Sequence, residues 1–97
     1  MLNQNIITVF EKLINEKQKT ITQLKEDKEK NKVEIKQLTF KVINFRKALN
    51  AIKNYDSEIT KGEDLKSIKG IGKGVITRID EILETGTLSE IKENLEN

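Results

Sequence analysis

Residues 65–79 read Leu65-Lys66-Ser67-Ile68-Lys69-Gly70-Ile71-Gly72-Lys73-Gly74-Val75-Ile76-Thr77-Arg78-Ile79 and hold three of the chain's five glycines. This spacing predicts two short helices joined by a turn too tight for side chains. Glycine alone tolerates the positive φ such a turn requires, and it lets a foreign backbone come close. A helix that opens directly after the turn leaves its first backbone N–H groups without intrahelical acceptors, which makes an anion site. Lys66, Lys69, Lys73 and Arg78 surround that site in sequence.

Upstream of this stretch, no glycine or proline occurs before Gly62, as expected of continuous helix. Ile35, Leu38, Val42, Phe45, Leu49 and Ile52 are spaced alternately three and four apart, a heptad seam that Tyr55 continues. Ile6, Phe10, Leu13, Ile21 and Leu24 fit a second helix, with Lys17 interrupting its apolar line. Between the two lies Glu26-Asp27-Lys28-Glu29-Lys30-Asn31-Lys32, which has no apolar residue. A turn is expected at 30–32, with Asn31 in the left-handed conformation. The product is an all-α fold opening with an extended antiparallel helical hairpin, 4–29 against 33–55.

Downstream, Thr60-Lys61-Gly62-Glu63 has the spacing of a capping box and predicts a short helix over 61–67. A second helix is expected over 73–84, with Val75, Ile76, Ile79, Ile82 and Leu83 as its apolar stripe and Gly86 as its stop. Thr87-Leu88-Ser89-Glu90 predicts a further cap and a short C-terminal helix over 87–97 that docks Leu88, Ile91 and Leu95. The organisation expected is one domain over 1–97, with the helix–turn–helix unit at 60–86.

Composition narrows the chemistry. Neither cysteine nor histidine occurs in the 97 residues, which removes the thiolate nucleophile, the disulfide, the usual general base and the usual zinc ligand. No apolar run approaches membrane-spanning length, and Met1-Leu2-Asn3-Gln4-Asn5 lacks the character of a signal peptide. A soluble intracellular protein without a membrane partner is expected, in the nucleus or cytoplasm. The net charge is only +2, but residues 61–78 hold five basic and two acidic groups, while 79–97 hold one basic and six acidic. A local basic patch is what a polyanion senses, because salt screens charge over about 8–10 Å.

Leu65, Ile68, Gly70, Ile71, Gly72 and Ile76 together fill the helix-hairpin-helix pattern. The simplest ligand for that turn is a nucleic-acid phosphate, gripped without regard to base sequence. No Gly-Lys-Ser/Thr follows, so it is not a Walker loop, and no strand precedes it, so it is not a dinucleotide fingerprint. The bland reading is an ordinary tight corner. Asp80, Glu81 and Glu84 are read as solvating the outer face of their helix and repelling DNA from that side, not as catalytic carboxylates.

Phe45-Arg46-Lys47-Ala48, Ile52-Lys53-Asn54-Tyr55, Ile59, Gly62, the Gly70–Gly72 turn and Ile79-Asp80-Glu81-Ile82-Leu83-Glu84-Thr85-Gly86 occur in an order that resembles the N-terminal domain of the family X, or beta-like, DNA polymerases. The likeness covers about residues 40–92. Ile6–Leu13 matches loosely, and the chain is longer than the family pattern before Phe40. The resemblance implies binding of gapped or nicked DNA in base excision repair, with the 5′-phosphate in a basic pocket and a polymerase domain downstream. It also implies a K⁺ or Na⁺ ion held by the backbone carbonyls of Lys66, Ile68 and Ile71. DNA-contacting positions carried over or read from the motif are Phe40, Lys41, Phe45, Lys66, Lys69, Gly70, Ile71, Gly72, Lys73, Gly74 and Arg78.

Many members of that family are also 5′-deoxyribose-phosphate lyases acting through a Schiff-base lysine. Here the matching position is Arg78, whose guanidinium stays protonated and cannot serve as the imine-forming amine. Thr77 replaces an assisting glutamate, Gly74 a phosphate-binding lysine, Glu90 a second lysine, Phe45 a pocket tyrosine and Phe40 a stacking histidine. The expectation is therefore a phosphate pocket partly kept and a lyase site mostly lost. Two alternatives stay open: a lyase using Lys41, Lys66 or Lys73, and a helical interaction module whose seam at 35–52 takes a protein partner or dimerises.

Overall fold

A computed structural model of the chain describes residues 2–91. It is all-α, with three helices and no strand among the described residues: α1 over Gln4–Leu24, α2 over Lys32–Asn54 and α3 over Lys73–Thr85. Two 3₁₀ turns, Lys25–Asp27 and Gly62–Leu65, sit at the hairpin tip and before the glycine turn.

The expected hairpin forms, and its seam is satisfied inside the chain. Val42, Phe45 and Ile52 of the heptad are buried against Ile6, Phe10 and Leu13 of α1, while Ile35, Leu38 and Leu49 pack at the margin. Ala48 is also fully buried, off the seam as read, because a small side chain lets the helices approach. Phe10 and Phe45 meet edge-to-face, with centroids 6.2 Å apart and planes at 88°. Ile59, Leu65, Val75, Ile79, Ile82 and Leu88 close the same core from below. A fully buried side chain of this size stabilises by about 1.5–3 kcal/mol, so the core is the main support of a chain with no disulfide.

The tip differs from the expectation. Helix α1 stops at Leu24, and the chain crosses through the 3₁₀ turn at 25–27 instead of continuing helical to 29. Asn31 is not left-handed (φ −104°); its side-chain amide instead donates to the Leu24 carbonyl at 2.9 Å, satisfying an orphan at the end of α1. The left-handed asparagine is Asn3, with φ 62°. Its Oδ1 accepts the Ile59 N–H at 2.8 Å and its Nδ2 donates to the Ser57 carbonyl at 3.0 Å, tying the start of α1 to the connector after α2.

The expected helix over 61–67 is only the 3₁₀ turn at 62–65, and Glu63 does not cap it. Asp64 does: its Oδ2 accepts from the Thr60 N–H at 3.0 Å, the Thr60 hydroxyl at 3.2 Å and the Lys61 N–H at 3.4 Å. The Thr60 amide is the main cause holding the Asp64 carboxyl below its usual pKa of 3.8. A lowered folded pKa means that the cap is intact above the unfolded value and is lost as pH falls through the folded one. Amide exchange at Thr60 is expected to keep its protection down to the usual carboxyl pKa of 3.8 and to lose it only at lower pH, whereas an Asp64→Asn variant should show no such step.

Helix α3 runs as expected and ends in Gly86 at φ 85°, whose N–H donates to the Ile82 carbonyl at 2.7 Å. Leu83 is exposed instead of joining the stripe. The expected C-terminal helix is a turn at 89–90 within the described residues, and its remainder, with Leu95, lies outside them. Asp80 and Glu81 do not merely solvate a face. Asp80 accepts the Gly62 N–H at 2.6 Å and Glu81 accepts the Ser89 N–H at 2.7 Å, so both brace the loops that flank α3.

Candidate nucleic-acid interface

The glycine turn lies against the middle of α2. Lys41, Asn44 and Phe45 of α2 share one face, being three and four residues apart, and meet Gly70, Ile71, Gly72, Gly74, Val75 and Arg78 around an open recess of about 470 Å³. Phe45 is buried and forms its floor. The sequence-derived residues thus divide. Lys41, Phe45, Gly70, Ile71, Gly72, Gly74 and Arg78 line the recess, while Phe40, Lys66, Lys69 and Lys73 are exposed outside its lining. Of the three amine candidates for lyase chemistry, Lys41 alone lines it.

The backbone of the turn was expected to present its amides, and most are open. The Ile71 N–H is taken by the Ile68 carbonyl at 3.2 Å, and the Val75 N–H by the Gly72 carbonyl at 3.2 Å. The amides of Gly70, Gly72, Lys73 and Gly74 have no acceptor among the described residues. Lys73 and Gly74 are the first two positions of a 13-residue helix, where the macrodipole favours an anion. The four residues are also exposed.

Glycine's role differs from one position to the next. Gly70 has φ 94° and needs glycine for its conformation. Gly72, the N-cap of α3, has extended backbone (φ −99°, ψ 175°) with nothing within 4 Å of an added Cβ. Its missing side chain leaves the approach clear; the turn itself does not demand it. Gly74 leaves room for Arg78, whose Nη1 would lie 3.2 Å from an added Cβ.

Arg78 is not the free cation the sequence suggested. Its Nε and Nη2 donate to the two oxygens of Glu90 at 2.8 and 3.2 Å, and Nη1 donates to the Gly74 carbonyl at 3.1 Å. The guanidinium lies 4.8 Å from the centroid of the Phe45 ring. Lys17, which breaks the apolar line of α1, approaches Glu90 at 3.7 Å. Asn44 and Val75 were missed as site residues by sequence reading, and Glu90 was placed there only as the counterpart of a family lysine, not as a partner of Arg78. Asn44 was findable, being three residues from Lys41 on the same helical face. The pairing of Glu90 with Arg78 was not, because nothing local links the two. Lys47 was passed over as well, and its Cδ comes within 4.0 Å of where a Cβ on Gly70 would stand.

The carbonyls of Lys66, Ile68 and Ile71 can be weighed as cation ligands on their own hydrogen bonding. Ile68 spends one of two lone pairs on the Ile71 amide, and no described donor lies on the other two carbonyls. Neutral backbone oxygens with free lone pairs suit a hard cation.

No solved structure matches the chain. A family model, the helix-hairpin-helix domain, matches residues 1–88, which takes in the hairpin, the glycine turn and α3. With that span matched and the turn formed as described, the chain belongs to the helix-hairpin-helix domain family.

Proposed function

We propose that this chain is a sequence-independent DNA-binding module of the family X polymerase type, taking gapped or nicked DNA by its 5′-phosphate. One observation carries the reading: open amides of Gly70, Gly72, Lys73 and Gly74 stand beside a recess that Lys41 and Arg78 also line. Backbone donors at a helix start match phosphate oxygens, and nothing in that contact reads a base edge. Lys66, Lys69 and Lys73, exposed around the turn, supply the nonspecific attraction. The three carbonyls named above would hold a K⁺ or Na⁺ ion, which supplies positive charge at the turn when bound. Arg78, held by Glu90, is fixed in position in this reading and does not act as a nucleophile.

The test is a fluorescence titration of gapped DNA with and without a 5′-phosphate, in rising salt. With about four phosphates neutralised, affinity should fall roughly 100-fold between 50 and 200 mM salt. The phosphorylated strand should bind more tightly at every salt concentration. Flat salt dependence, or equal affinity for the two strands, overturns the proposal.

A further inference from the structure

We propose that Glu90 governs the anion affinity of the recess, by holding Arg78 in place and by occupying the guanidinium edge that a phosphate would otherwise take; this rests on the DNA-binding reading above. Arg78 reaches back along α3 to its first turn, where Gly74 supplies a carbonyl and Phe45 a ring face. In that position its Nε and Nη2 form the planar fork that recognises carboxylate and phosphate alike. Glu90 already fills the fork, with both oxygens engaged. The Arg78 and Glu90 side chains are 23% and 31% exposed, so the pair stands at the solvent edge where an incoming anion can compete. Glu90 also belongs to the segment after Gly86 that is anchored by buried Leu88 and Ile91, so its carboxylate is held in place from its own side. The recess therefore carries a built-in competitor: a resident carboxylate that keeps one of its two lining cations neutralised.

The geometry sets the sign of the effect. If Glu90 were only a brace for Arg78, replacing it would loosen the recess and weaken binding. If it competes with phosphate, its neutral isostere should tighten binding, because Gln can still accept from Arg78 without cancelling its charge. Glu90→Gln is expected to bind 5′-phosphorylated gapped DNA roughly tenfold more tightly at 50 mM salt, the scale of one charge-assisted hydrogen bond. The log–log salt slope should steepen by about 0.7–0.9 for the additional phosphate contact. Glu84→Gln, an exposed change of equal charge on α3, is the control for net charge. In an Arg78→Met background, Glu90→Gln should gain nothing beyond that control, and circular dichroism should show both single variants folded.

A gain specific to Glu90→Gln, dependent on Arg78 and on the 5′-phosphate, supports the proposal. Wild-type protein that prefers the phosphorylated strand, with Glu90→Gln no tighter than Glu84→Gln, overturns the role of Glu90 alone. Wild-type protein that binds neither strand at 50 mM salt overturns the DNA-binding reading and this inference with it.

Discussion

Gly62→Ala is expected to destabilise the protein by about 2–4 kcal/mol, lowering its midpoint of thermal unfolding by roughly 10–25 °C. The position needs glycine for space, since its φ is not in the left-handed region. A Cβ there would run into the Ile76 carbonyl oxygen and come within 2.9 Å of Ile76 Cγ2 and 3.0 Å of its carbonyl carbon. Most of that obstacle is the backbone of α3, which cannot yield by a change of rotamer. The Gly62 N–H also donates to Asp80 at 2.6 Å, so any movement that relieves the clash strains that bond. Pushing α3 outward moves the wall of the recess, and phosphate binding should fall with stability. Gly72→Ala serves as the comparison: with open space and extended backbone there is no clash, and the loss of a favourable N-cap residue should cost only about 1 kcal/mol. Thermal melts of the two variants side by side decide the point. Similar midpoints would show that the close approach of residue 62 to α3 is absent in solution.

The second large effect concerns binding alone. Lys73 is the first residue of α3, and its N–H has no acceptor among the described residues. Proline suits a first helical position, where the missing N–H breaks no intrahelical bond. The preceding residue must then be extended, and Gly72 already is, at φ −99° and ψ 175°. Lys73→Pro should therefore fold normally while deleting one cation and one main-chain donor. Lys73→Met deletes only the cation. If phosphate oxygens sit on this amide, Lys73→Pro should bind 5′-phosphorylated DNA about 10- to 100-fold more weakly than Lys73→Met, the scale of a hydrogen bond to a charged group. On unphosphorylated DNA the two should be alike. Equal affinities on the phosphorylated strand would leave side chains as the whole of the contact and remove the backbone from the mechanism.

Both experiments address features that differed in how far they could be read from residues. The helices were legible because their cause is local. A three-four spacing of apolar residues from Ile35 to Ile52, with no glycine or proline before Gly62, leaves helix as the conformation that buries one face. Gly86 was legible as a stop for the same reason: a left-handed residue after an apolar stripe wants glycine. The tip at 25–31 was misread because a run of charged residues carries no burial signal to place the end of a helix. Its geometry is held by side chains of the run itself, Asn31 reaching back to the Leu24 carbonyl and Asp27 accepting the Lys30 N–H. The cap of the 62–65 turn moved from Glu63 to Asp64 because the N-cap is Lys61, one residue later than read, which puts Asp64 at the third position of the turn.

By itself, the sequence determined an all-α chain with a helical hairpin, a glycine turn and a basic surround, since periodicity, glycine placement and charge act over a few residues. The tertiary structure alone decided which of those charges are available. Arg78 and Glu90 are twelve residues apart and Lys17 lies on another helix, and only packing brings the three together. The same holds for Asp80 on the Gly62 amide and for Lys41 beside the glycine turn. The physical reason is range. Backbone preferences are settled by near neighbours, whereas a charge is governed by whatever the fold places within a few ångströms of it, at any distance along the chain.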